Sequence, residues 1–286
     1  MVCAFRGWND AGDAASSAVA FLAGSLEAKR FAHLDPEEFY DFQSNRPCIS
    51  LGENQQREIS WPTVEIFEAT APRAPRDLVL VQGTEPSMRW RSFSAHLVDL
   101  AEALGVQAVV TLGALLGDVP HTRPVSLSGH ASDASMFERL GIQPSAYEGP
   151  TGIVGVLHTA CADAGLPSAS LWAAVPHYVA AANNPKAALA LLRRVEAQVG
   201  LGLRMDEGEF GGQILQNGNG GRLVVDEDAA FSRRQDLPAQ DNVVAFRVDP
   251  VIFQNGLGPR CGLEDTGDDR FFRAVAHNFC RRFATH

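Results

Sequence analysis

The stretch DLVLVQGTEPSMRWRSFSAHLVDLAEALGVQAVVTLGAL, residues 77–115, decides the fold class of this chain. Residues 77–83 form an almost continuous apolar run ended by a glycine, the pattern of a strand buried on both faces. Phe93, Leu97, Leu100 and Leu104 then recur at helical spacing on one face, and Gly105 closes the helix. Residues 107–115 read as a second internal strand. Strand, helix and strand with short joints build a mostly parallel sheet, because parallel neighbours need a crossover between them.

The pattern extends in both directions. Upstream, MVCAF (1–5) reads as the end of a strand, and FRGWNDAGDAAS (5–16) turns it into a helix carrying Ala15, Val19 and Leu22, with Gly24 near its stop. AKRFAHL, EEFYDF and REISWPTVEIFEAT look extended, separated by Asp-Pro, Asn-Arg-Pro and Gly-Glu-Asn turn signals. Downstream, Ile153, Val156, Leu157, Ala160 and Cys161 form a helical stripe stopped by Gly165 and Pro167. SLWAAVP (170–176) reads as a strand, and Asn184-Pro185 opens a helix with Ala188, Leu191, Leu192, Val195 and Val199 on one side. The expected fold is α/β, a mixed and largely parallel sheet between helices.

Composition changes after about residue 200. Residues 202–222 hold seven glycines among few large apolar side chains, and glycine loses much backbone entropy on ordering, so this stretch reads as a loop or linker. Beyond it, LVVDEDAAF and NVVAFRV read as short strands or helix fragments. FFRAVAHNFCRRF can form a helix with Phe272, Val275, Ala276 and Phe279 on one side. There is no internal repeat at a fixed period and no heptad pattern.

The 286-residue chain is 45% hydrophobic, enough for a substantial core. A net charge of −10 disfavours nonspecific nucleic-acid binding and attraction to anionic membranes. Five cysteines, scattered and without CxxC spacing, suit reduced thiols better than a disulfide framework or zinc site. The sequence contains neither a secretory-signal pattern nor an apolar run of membrane-spanning length. Cytoplasmic location is the expectation.

Four motifs carry a resemblance: FRGWNDAGDAAS, GDVPHTRPVSLSGHASD (117–133), YEGPTGIVGVL (147–157) and VPHYV...NPKAALALL (175–192). In this order they resemble the PAC2 family, named for proteasome assembly chaperone 2, and most closely its uncharacterised actinobacterial branch. The resemblance covers residues 1 to about 200. It implies a phosphorylase/hydrolase-like α/β domain over residues 1–200 and assembly into a homo-oligomer, a trimer in this branch. An assembly chaperone or scaffold with a protein partner is the function implied; the alternative is an enzyme or small-anion-binding protein on a hydrolase-like scaffold. Residues 201–222 would be the linker, and 223–286 a segment packed on the first domain. This chain departs from the branch after residue 200, where glycine replaces a strongly acidic helical stretch.

Candidate site residues are weighed one by one. Asp10 and Asp13 flank Gly12 where the first strand turns into a helix. A helix start exposes unpaired N–H groups that can hold an anion, but there is no phosphate-loop spacing and two acids would repel one. Either acid more simply caps the helix, while Trp8 can pack over the turn or at a subunit contact. Asp118 and His121 are the candidate catalytic pair, and Arg123 a candidate ligand contact, near the end of the 107–115 strand, where open α/β sheets place ligands; His177, beside Tyr178, is a further candidate ligand contact. No nucleophile motif accompanies them. Ser128, His130, Ser132 and Asp133 lack the GxSxG elbow of a hydrolytic triad, and Asp133 more plausibly caps a short helix. His121, His130 and His177 with Asp118 lack a metal-ligand spacing, so neither a metal site nor a cofactor is expected. Tyr147 and Glu148 can form a polar mouth beside a helix with Thr151 as its expected cap, and Gly152 and Gly155 leave room for close packing.

Overall fold

A computed structural model describes residues 1–52, 55–179 and 183–203. The elements expected in LVVDEDAAF and NVVAFRV, the helix expected through Phe272, Val275, Ala276 and Phe279, and almost all of the glycine-rich stretch lie outside these residues. The first unit is β1 (Val2–Arg6) followed by α1 (Ala14–Ser25), then β2 (Lys29–His33), a short α2 (Pro36–Phe39), β3 (Cys48–Leu51), β4 (Arg57–Ser60) and β5 (Val64–Ala69). The deciding stretch follows as β6 (Leu78–Thr84), α3 (Trp90–Ala103) and β7 (Val109–Gly117). The chain continues through β8 (Leu127–Ala131), α4 (Ala134–Leu140), β9 (Gln143–Pro144), α5 (Ile153–Asp163), β10 (Ser168–Pro176) and α6 (Pro185–Val199).

Eight strands form one mixed sheet in the order β2-β5-β6-β1-β7-β10-β8-β9. Its centre, β6-β1-β7-β10, is parallel throughout. The pairs β2–β5, β5–β6 and β8–β10 are antiparallel. Strand alternation divides the core in two. Val2, Ala4, Leu78 and Leu80 face α1, α4 and α6, whereas Cys3, Phe5, Val79 and Val81 face α3 and α5. Both faces are covered, which is why the central strands read as continuous apolar runs. Phe93 of α3 anchors the second layer, meeting Phe5 edge-on at 5.7 Å and Phe39 at 5.4 Å.

Two local readings hold in detail. Asp133 accepts from Met136 N at 3.1 Å to cap α4, and Asn184 accepts from Ala187 N at 2.9 Å to cap α6. One reading is corrected. EEFYDF is not extended: Asp35 caps a helical turn through Glu37 N at 3.0 Å, and Pro36 occupies its first position. The Asp-Pro pair that reads as a break is a helix start, because proline lacks only an N–H that the first turn leaves unpaired. Phe39 and Tyr40 then become core residues, and the Tyr40 hydroxyl donates to Thr84 O at 2.5 Å.

Candidate functional site

The loop after β1 is held at both ends. Ala114 N of β7 donates to Asn9 O at 2.7 Å, so the chain keeps pairing with β7 beyond β1. The buried Asp10 carboxylate then turns to α1, accepting from Ala15 N at 2.7 Å and Ser16 N at 3.2 Å. Asp10 is therefore the acid that serves the helix start. Asp13 sits in the left-handed region at φ 47° and makes no side-chain cap. With Asp10 on the α1 amides, this helix start is already supplied with its anion.

Burial pushes the Asp10 carboxyl from an ordinary 3.8 up to about 6, against the opposing pull of its hydrogen bonds to Ser16 and Ala15. Between these two values the native state holds more protons than the unfolded chain. The stabilisation is thus fully present below the unfolded value and is lost as pH rises through about 6. Relative to an Asp10→Asn variant, the parent should gain on the order of 2 kcal/mol between pH 7.5 and 4.5. Paired denaturant titrations at the two pH values check this; a difference that stays constant would contradict the assignment.

A second group lies beyond the carboxyl ends of β7 and β10. The His121 N–H donates to Tyr178 Oη at 2.8 Å, and its ring Nδ1 lies 3.0 Å from the same oxygen. The His177 ring lies 5.6 Å from that of Tyr178, with Nδ1 3.3 Å from Gly117 O. Lys186 Nζ donates to His121 O and Arg123 O, both at 2.7 Å, which pins the loop onto the start of α6. The structure therefore brings His121 and His177 together around Tyr178, a residue that only the His-Tyr dipeptide flags in sequence. Asp118 and Arg123 are exposed. Among the described residues, neither histidine ring is hydrogen-bonded to a carboxylate.

The third group joins β6 to the start of α5. Glu85, just past β6, accepts from Asn9 Nδ2 at 2.5 Å and from Ile153 N at 2.9 Å, both on Oε1. It therefore caps α5 from a distant strand, where Thr151 was expected to cap it; the helix begins after Gly152 with no side-chain cap of its own. A Cβ on Gly152 would lie 2.1 Å from Asn9 Oδ1, so only glycine lets α5 approach this amide. Above these contacts is a cleft of about 150 Å³ lined by Trp8, Glu85, Trp90, Pro150, Thr151 and Gly152. Tyr147 and Glu148 are exposed nearby in sequence, and Tyr147 Oη donates to Pro150 O at 3.0 Å. Glu85 and Trp90 lie in no motif singled out in the sequence, and Asn9 lies in one without being singled out; their roles arise from strand ends that meet only in the fold.

The model of the PAC2 family matches residues 4–209. A PAC2 family protein from Streptomyces avermitilis is 50% identical, with a TM-score of 0.69 over 82% of this chain and 99% of that one. A Mycobacterium tuberculosis proteasome-assembly chaperone homologue is 44% identical, with a TM-score of 0.67 over 82% of this chain and 96% of that one. A Corynebacterium glutamicum protein of unknown function is 26% identical, with a TM-score of 0.63 over 81% and 91%. Among curated proteins none matches.

Proposed function

This chain belongs to the PAC2 family, related to proteasome-assembly chaperones, and from that premise we propose a homo-oligomeric scaffold or assembly chaperone that works by protein contact. The observation that carries this reading is the β3–β4 hairpin. Ile49 pairs with Ile59, and Leu51 lies two residues along from Ile49, so all three share one face. They are 61%, 53% and 69% exposed, with Arg57 opposite Leu51 at the end of that face, while Cys48, Ser50, Glu58 and Ser60 take the other. Trp61 extends the apolar side, 4.8 Å from Phe42. A two-stranded hairpin with its apolar face in water is marginal by itself, so covering that face stabilises it.

The occupant in this reading is a second copy, and a trimer is the form that goes with the family. The self-associating unit is residues 1–200, with 201–222 as a connection and 223–286 as an added segment. Cytoplasmic location accords with the scattered thiols of Cys3, Cys48 and Cys161. No helix among the described residues is long and apolar enough to cross a membrane. Light scattering on the full chain should give three subunits. An Ile49→Lys/Leu51→Lys variant should give one, with an unchanged circular-dichroism spectrum. A variant that keeps the parent's subunit number would remove the hairpin from the interface.

A second reading, small-anion binding or catalysis on a phosphorylase/hydrolase-like scaffold, draws support from the His121–Tyr178–His177 group at the carboxyl ends of two parallel strands. Its candidate residues remain Asp118, His121, Arg123 and His177 there, with Asp10, Asp13, Tyr147 and Glu148 elsewhere. Contact through the hairpin is the reading we prefer, because among the described residues neither histidine ring is hydrogen-bonded to a carboxylate.

A further inference from the structure

We propose that the cleft between Trp8 and Trp90 binds a small organic ammonium ion, with its carbon surface against the indoles and its charge toward Glu85. Three observations converge on this chemistry. First, the lining contains two indoles, Pro150 and Gly152, with Thr151 at the edge, and a volume of about 150 Å³. That is roughly ten times the space a single water needs, enough for a head group of several heavy atoms. Trp90 Nε1 donates to Pro86 O at 2.6 Å, so its polar edge is already satisfied by the backbone. Trp8 is 65% exposed, so its indole is open to a ligand from solvent.

Second, the charge has one sign. Both hydrogen bonds of Glu85 fall on Oε1, and Oε2 has no hydrogen-bond partner among the described residues. No lysine or arginine lines the cleft, and Arg89, four residues from Glu85, is paired with Glu38. An anion would meet a carboxylate without a counter-charge. A neutral apolar molecule would leave the carboxylate charge without a counter-charge. A cation satisfies the carboxylate and is attracted by the indole faces, and the chain's net charge of −10 favours its approach.

Third, the carboxylate is held in place. Its Oε1 is fixed from two directions, by Asn9 in the loop after β1 and by Ile153 at the start of α5. The cleft lies beyond the carboxyl ends of β1 and β6 in the parallel centre of the sheet, where α/β folds collect ligands.

Calorimetry on the full chain with choline tests the proposal. Saturable binding is expected, weakened about threefold or more by Trp8→Ala and by Glu85→Gln, since a cation–aromatic contact at a partly exposed site supplies energy of that size. The neutral isostere 3,3-dimethylbutan-1-ol should bind at least about tenfold more weakly, because it lacks the charge. Trp8 is a surface residue and Glu85→Gln keeps Oε1, so both variants should fold. A parallel titration with N-acetyl-trimethyl-lysine amide separates the two sources of this chemistry. Tighter binding than choline places the ammonium on a protein side chain, weaker binding on a free small cation. No saturable heat with either probe, equal affinity for the isostere, or unchanged affinity in Trp8→Ala would overturn the proposal.

Discussion

Replacing Gly129 by alanine is expected to destabilise the chain by about 3 kcal/mol or more, among the largest losses a single methyl group can cause. The site explains the size. Gly129 lies in β8 opposite Leu171 of β10, and an added Cβ would stand 1.9 Å from the Ser170 carbonyl oxygen. That oxygen is backbone, not the end of a mobile side chain. β10 has no freedom to withdraw, because from Ser168 to Pro176 it is also paired in parallel with β7. On the other side, the Ile142 Cδ1 methyl would lie 3.2 Å away. The clash must therefore be relieved by parting β8 from β10, which also strands β9, bonded to the sheet through β8. A guanidinium titration should show a lower midpoint, with a shallower slope if β8 and β9 separate before the rest. A midpoint equal to the parent's would mean that β8 is not seated against β10 in this way.

Glu85→Ala is expected to lose about 3 kcal/mol, while Glu85→Gln loses less than about 1 kcal/mol. Alanine removes the acceptor of two donors at once, Asn9 Nδ2 and Ile153 N. Asn9 is fully buried and its Oδ1 already has no partner, so its side-chain amide would be left unpaired in the interior. The α5 start would lose its cap as well, and Gly152 has no side chain to replace it. Glutamine retains a carbonyl oxygen where Oε1 stands, so both bonds can survive without the charge. Equal losses in the two variants, read from denaturant midpoints, would show that charge rather than hydrogen bonding holds the junction.

The two variants separate what could be read locally from what could not. Periodicity was sufficient for β6, α3 and β7, because burial on both faces or on one stripe leaves a repeating signature in the residues themselves. The caps Asp133 and Asn184 were equally legible, since a cap and its target amide lie within three residues. The Asp35-Pro36 start was misread because the same dipeptide serves a turn and a first helical turn. The choice there was made by the pocket that buries Phe39 against Phe93.

The α/β class, the central strand-helix-strand unit, the family and the neighbourhood of Asp10 as a helix start are legible in the residues alone. That Asp10 rather than Asp13 supplies the cap, that Glu85 caps a helix beginning 68 residues later, and that His121 and His177 meet at Tyr178 emerge from the folded chain. The difference is one of range. Hydrophobic patterning and capping act between residues a few positions apart, so they are written into short stretches. A hydrogen bond between distant segments depends on which strand ends the sheet order brings together, and neither partner carries a local mark of the other.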